Sequence, residues 1–385
     1  MVSVKNVRAL SEQARKCSSS SAVAIADDTI KKAVQRYHRE YDRYLKLAAR
    51  VAEICRSEIV EGNAIRAQVT SRAKSPKGLE GKLRRFAASG RKTIPDVDAV
   101  FDQIRDLAAV SVATYEQRHE EQVVQLVCKR FVDASGRPPI HERKDKNRDD
   151  PNNFYRASHI EVFLAPADGV GTYINVMDVP CEVQVCSLMA HVWNEIEHDL
   201  GYKPAVGELS EQERNFLVTL GQSVRVGDGT IASLFAETER RQREQGGAFT
   251  DVYDFVARLR GWFAGVDFGR NAGALFEALQ PIRLVNPDSI RRLLGAPEPM
   301  TEAGRAALEA FARQLVLRGE TRFALDPDSS DLLLVLLLPR VGRHLHASAT
   351  DSATDGILRV RWFAERFTEA SPAPIPVQAS GRARG

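Results

Sequence analysis

Glu182 and Gln184 stand two positions apart in Cys181-Glu182-Val183-Gln184-Val185-Cys186, a run with the alternation of a strand. Side chains two apart on a strand share a face, so a carboxylate and an amide point the same way. The run feeds straight into Leu188-Met189-Ala190-His191-Val192-Trp193-Asn194-Glu195-Ile196-Glu197-His198, which reads as a helix. A strand that presents an acid beside an amide and then hands over to a helix suits a metal-bound nucleotide. Asp106 is the second acid of interest, near the start of a run from Ile104 to Tyr115 dominated by small and β-branched residues, which reads as a buried strand. Two carboxylates from two strands can converge on one Mg²⁺, which prefers carboxylate and phosphate oxygens. The plainer alternative has Asp106 capping a strand start and Glu182 paired with a neighbouring arginine.

Between Arg66 and Lys92 lie nine Lys or Arg and a single acid, Glu80, a block suited either to phosphate or to a solvated basic face. Arg72, Lys74, Lys82 and Arg85 are its candidate phosphate cradle. The interval from Lys82 to Arg85 places both on one face of a short helix over Gly78–Ala88. Arginine offers bidentate phosphate contacts and lysine a mobile point charge. His191, Glu195 and His198 fall on adjacent helical turns and imitate a metal-ligand pattern. A di-metal bundle site would need further Glu and Glu-x-x-His contributions from other helices.

The elements that position these residues follow from periodicity. A helix from about Thr29 to about Ile59 carries Ile30, Val34, Tyr37, Tyr41, Tyr44, Ala48, Val51 and Cys55 as one apolar stripe. Gln68-Val69-Thr70 reads as extended and Glu120–Phe131 as a helix. Residues 141–153 form a charged stretch without apolar residues and read as a loop. Strands follow at His159–Leu164 and Cys181–Ser187, with Asp168-Gly169 as a hairpin signal and Tyr173–Val176 as an intervening strand. This order implies an α+β domain, a mixed β-sheet flanked by helices, over residues 28–204, with Pro204 closing it. Residues 1–27 are polar and Ser-rich and read as a flexible N-terminus. Residues 205–368 read as a mainly helical C-terminal domain, with helices at Glu211–Val224, Thr230–Arg243, Val252–Phe263, Glu302–Leu317 and Ile357–Phe367 among others. Asp331–Leu338 fits strand or helix equally. Residues 369–385 have the composition of a disordered tail.

A chain of 385 residues favours two domains. Its net charge of +3 says nothing about nucleic acid. Five scattered cysteines without zinc-finger spacing fit a reducing compartment. Residues 1–25 lack a signal-peptide core, and the longest apolar run, Leu332–Leu338, falls short of the ~20 residues a membrane span takes. The expectation is a soluble cytoplasmic protein with no membrane partner.

Four stretches together resemble the synthetase domain of the RelA/SpoT nucleotide pyrophosphokinases. They are Ser71-Arg72-Ala73-Lys74-Ser75, Asp106-Leu107-Ala108, Phe154-Tyr155-Arg156-Ala157-Ser158-His159, and the Glu182–Gln184 strand with its helix through Tyr202-Lys203. The resemblance covers roughly residues 30–203. It implies Mg²⁺-dependent transfer of pyrophosphate from ATP to the 3′-hydroxyl of a guanine or other purine nucleotide. It implies Asp106 and Glu182 as the essential acids and metal ligands, Glu182 being also the candidate general base, with Gln184 beside it. Arg72, Lys74 and Lys82 match ATP ligands. Tyr155 matches the aromatic residue that stacks on the acceptor guanine, Arg156 and His159 follow at the family spacing, and His191 completes the expected acceptor side. On residue type alone, Tyr155 fits the core at a strand start equally well.

Several positions depart from the family pattern. Its Asp-Leu-Ala-Gly-Ile-Arg is Asp106-Leu107-Ala108-Ala109-Val110-Ser111 here, its Gly-Tyr-Arg-Ser is Phe154-Tyr155-Arg156-Ala157, and the Arg-Thr after the Glu-x-Gln strand is Cys186-Ser187. The sequence therefore reads as a divergent, synthetase-only form, with ATP and GDP or GTP as expected partners. One alternative is a toxin-type relative that pyrophosphorylates the 3′ end of tRNA. The other is a degenerate module that binds a nucleotide or a protein. A homo-oligomer and a protein regulator acting through the C-terminal domain complete the expected partners.

Overall fold

The structure, a computed structural model, describes residues 25–90, 92–200, 209–295, 300–347 and 355–370. The Ser-rich stretch through residue 24, the Tyr202-Lys203 pair, Pro204 and the tail from residue 371 lie outside the described residues. Two compact units emerge. The first takes its described residues from 1–53, 68–113 and 120–221, and the second from 54–67, 114–119 and 222–385.

The first unit holds a mixed five-stranded sheet. Its strands are β1 (Ala67–Ala73), β2 (Ala108–Thr114), β3 (His141–Asp145), β4 (Arg156–Val162) and β5 (Cys181–Ser187), in the spatial order β1-β2-β5-β4-β3. Backbone bonds from Lys74 to Leu107 (2.9 Å) and from Tyr115 to Arg66 (2.8 Å) make β1 and β2 antiparallel. β4 runs antiparallel to both β3 and β5, with Lys144 opposite Ala157 and His159 opposite Gln184. In β5, Cys181, Val183 and Val185 are buried on one face, and Glu182 and Gln184 take the other.

Helices flank the sheet because their apolar stripes need cover. Helix α1 (Asp27–Ile54) buries Ile30, Ala33, Tyr37, Tyr44, Leu47 and Val51. It continues as a π-helical segment, Cys55–Glu61, whose end is held by the Asn63 amide donating to the carbonyls of Glu58 (2.9 Å) and Ile59 (2.8 Å). Helices α2 (Pro76–Ser89) and α3 (Val97–Gln103) follow, with N-caps from Ser75 and Asp96. Helices α4 (His119–Arg130) and α5 (Leu188–Leu200) complete the set before the long α6 (Glu211–Glu244).

Four local expectations change. The run Ile104–Tyr115 is not all strand: Ile104 caps α3 through its N–H to the Val100 carbonyl (3.0 Å), so Asp106 stands in the lead-in to β2. The charged stretch 141–153 contains β3, an edge strand whose polar residues hide the alternation that marks a strand. The connection 165–179 holds short 3₁₀ turns, Pro166–Asp168 and Gly171–Val176, in place of a hairpin and strand. Asp168 is drawn inward there by two bonds from Arg130 (2.9 and 2.8 Å). Finally, the helices expected at 211–224 and 230–243 are one, because Gly227 and Gly229 lower helix propensity without ending it.

The second unit's core gathers Phe255, Phe263, Phe268, Phe311, Trp362 and Phe363, with Phe263 and Phe268 stacked at 5.1 Å. Its helices include α7 (Val252–Leu259), α8 (Ala272–Leu279), α9 (Pro287–Leu294), α10 (Thr301–Leu317), α11 (Asp331–Ala347) and α12 (Asp355–Ala370). The ambiguous run from Asp331 is thus helical. Asp331 accepts from the Asp326 N–H (2.8 Å) and from Arg359 (2.9 Å), and Leu332 through Val335 are buried on all sides.

Candidate active site

The polar face of the sheet opens into a cavity of about 460 Å³ within the first unit. Glu182 and Gln184 reach it from β5, and Asp106 from the turn into β2. Arg72 and Lys74 come from β1 and its end, Lys82 and Arg85 from α2, and His191 from α5. Seven Lys or Arg line it against four Asp or Glu, a surplus that suits a polyphosphate.

Asp106 is clamped between two ammonium groups, Lys82 at 2.8 Å and Lys74 at 2.9 Å. Burial alone would raise its pKa, but the charges of Lys82 and Lys74 outweigh burial and bring it down to about 2. The clamp is fixed from behind. The buried Tyr37 hydroxyl lies 2.7 Å from the Lys74 carbonyl and 3.1 Å from that of Leu107, next to Asp106. Tyr37 was legible only as part of an apolar stripe.

Glu182 accepts on both oxygens. His159 Nδ1 lies 3.0 Å from Oε1, and Gln184 Nε2 donates to Oε2 at 2.6 Å. Burial pushes the Glu182 pKa up and these bonds bring it down, leaving it below the ordinary carboxylate value, while the charge of Asp106 opposes that fall. His159 Nε2 is 2.7 Å from the Tyr155 hydroxyl. Tyr155 donating to Nε2 and Nδ1–H donating to Glu182 is the tautomer that satisfies both contacts. Burial, then the charge of Glu182, raises the Tyr155 pKa, so its hydroxyl stays a donor. Lys146 sits over the Tyr155 ring, 4.5 Å from its centroid.

The structure therefore brings together Asp106, Glu182, Gln184, Arg72, Lys74, Lys82, Arg85, Tyr155, His159 and His191. Arg156 is the exception and does not line the cavity. It is the first residue of β4, and alternation turns it to the face opposite His159, where it bonds Glu120 (2.9 Å) and Ser187 (3.3 Å). The sequence reading missed Lys144, Lys146 and Arg105, which also line the cavity. Lys144 lies opposite Ala157 and so shares the face of His159, but nothing in an all-polar stretch marks the strand that sets this parity. Arg105 is paired with Glu161 at 3.0 Å.

Among the described residues no cluster of three or more His, Cys, Asp or Glu forms a ready-made metal cage. Two carboxylates facing one cavity, with the charge of Asp106 disfavouring that of Glu182, still suit Mg²⁺, which is commonly held by one or two carboxylates plus substrate phosphates. No helix among the described residues is long and apolar enough to cross a membrane.

Residues 71–206 match the family model described as a region found in RelA/SpoT proteins, so the chain carries a RelA/SpoT-type region. None of the curated proteins matches the chain. Among solved structures, the small alarmone synthetase 1 from Bacillus subtilis is 18% identical over 53% of this chain and 98% of its own, with a TM-score of 0.42. A GTP pyrophosphokinase family protein from Streptococcus pneumoniae is 18% identical over 55% and 98%, at 0.41. The same Bacillus synthetase bound to its product pppGpp is 17% identical over 53% and 98%, at 0.38.

Proposed function

We propose that the first unit is a pyrophosphokinase that moves the β,γ-pyrophosphoryl group of ATP to the 3′-hydroxyl of a guanine nucleotide. One observation carries this reading: a buried Glu182, held on both oxygens by His159 and Gln184, shares a cavity with the Lys74–Asp106–Lys82 clamp. In the transfer, the acceptor 3′-oxygen forms a bond to the β-phosphorus, the bond to the α-phosphate oxygen breaks, and AMP leaves. Glu182 takes the hydroxyl proton, since each of its oxygens keeps a lone pair beyond the bonds described. Arg72, Lys74, Lys82 and Arg85 bind the ATP phosphates, where positioning and charge neutralisation supply most of the catalysis. Asp106 and Glu182 would hold Mg²⁺, which neutralises phosphate charge when bound. Tyr155 stacks on the acceptor base, with Lys146 and Lys144 at hand for its phosphates.

The test offers γ-labelled ATP and Mg²⁺ together with GDP, GTP, ADP or deacylated tRNA. Label on GDP or GTP is the expected result. Label on tRNA alone would replace the acceptor, and nucleotide binding without any labelled acceptor would make the unit a binding module.

A further inference from the structure

The wall that carries Tyr155 has a backing that lies outside the cavity. Phe154 precedes Tyr155 and is buried. Its ring stands 6.1 Å from that of Trp193 on α5, inclined at 60°. Its other boundary is Gly221 on α6. A Cβ at that glycine would fall 2.2 Å from both Cγ and Cδ2 of Phe154, so the ring lies against bare backbone. One helical turn earlier, the Leu217 carbonyl accepts the Trp193 indole N–H at 3.0 Å. Phe154 and Trp193 thus meet α6 at two points one turn apart. On the far side of Tyr155, the Arg156 backbone is held by Asn194, the neighbour of Trp193, whose amide donates to the Arg156 carbonyl at 3.1 Å and accepts its N–H at 3.4 Å.

We infer that Phe154, seated between Trp193 and the bare backbone of Gly221, is a positioning residue for Tyr155, and that α6 is thereby part of the acceptor wall. This rests on the reading of Tyr155 as the residue that stacks on the acceptor base. A side chain at position 221 must drive the Phe154 ring away, because its near end, not a flexible tip, is what the new atom meets. Tyr155 then moves with it, and so does the hydroxyl that contacts His159.

The experiment compares the full-length protein with Gly221→Ala, Phe154→Ala and the double variant. For Gly221→Ala, KM for the guanine acceptor should rise about 5-fold or more, the lower end of what one stacked base contributes. KM for ATP should stay within about twofold, because its phosphate ligands stand on β1 and α2. Removing Cγ with alanine at 154 removes the atom that Ala at 221 would meet, so the double variant should show the acceptor KM of Phe154→Ala alone. A second readout is the ¹⁹F resonance of Tyr155 in 3-fluorotyrosine-labelled protein, assigned with Tyr155→Phe. It should shift in Gly221→Ala, and in the double variant it should match Phe154→Ala alone. An unmoved resonance, or equal rises in both KM values, overturns the inference. If the unaltered protein labels no acceptor, the functional reading fails and the acceptor wall with it, and the resonance decides whether Phe154 positions Tyr155.

Discussion

The two acids of the cavity are held in opposite ways, and single substitutions separate them. Glu182→Gln keeps volume and removes the charge that accepts a proton. Transfer should fall at least ~10²-fold with an unchanged melting temperature, since general-base catalysis contributes on that scale. Near-normal turnover would remove Glu182 from the chemistry. Asp106 depends on its cations, so Lys82→Ala should weaken ATP by roughly 1.5–3 kcal/mol, the loss of one charge-assisted contact, while acceptor binding holds. Titration with a non-hydrolysable ATP analogue measures the first and GDP titration the second. In the second unit, burial first and the charge of Arg118 next hold the His119 pKa down from 6.5 to about 4. Between those values the unfolded chain takes up a proton that the native chain refuses. The contribution is therefore complete above 6.5 and lost as pH falls towards 4, on the order of 3 kcal/mol. Melting temperature should drop across that window, and His119→Gln should flatten the drop. An identical pH profile in the variant would exclude His119 as its source.

At the scale of elements, close backbone approaches do the positioning. Gly273 at the start of α8 donates to the Gly62 carbonyl at 3.1 Å, and a Cβ there would lie 2.4 Å from the Glu61 carbonyl oxygen. Gly273→Ala should lower stability by about 1–3 kcal/mol, as overpacking commonly does, read as a shift in the urea midpoint without a change in slope. An unshifted midpoint would mean that the π-helical segment yields freely. Elements with apolar periodicity were legible in the sequence: α1, α4, α5 and β5 stand within a few residues of where hydrophobic spacing puts them. The candidate acids and the basic block were legible because a carboxylate beside an amide and a run of cations are chemical signals in themselves. β3 was not, since an edge strand of charged residues has no apolar face to betray it. Gly221 was not either, because its role appears only when Phe154, far away in sequence, lies against it.

For the whole molecule, the two units are not successive stretches of chain. Residues 54–67 and 114–119 belong with the second unit although the first encloses them in sequence. A single cut therefore cannot divide the protein cleanly. A chain ended after Gly221 retains those two segments without the residues from 222 onward. It is expected to be poorly soluble or to lack fixed tertiary structure, with native-like far-ultraviolet but lost near-ultraviolet circular dichroism. A soluble truncation with a sharp melting transition would show that the first unit stands alone. The same interleaving imposes a schedule on the ribosome. Ala67 emerges about 155 positions ahead of Gln222, on the order of 8–30 s at ordinary rates of elongation. Throughout that interval Ala64, which packs against the second unit's aromatic core, and the Gly62 carbonyl, which accepts from Gly273, await partners not yet synthesised. For that interval the segment stands without its partners, the kind of exposed surface that chaperones exist to cover.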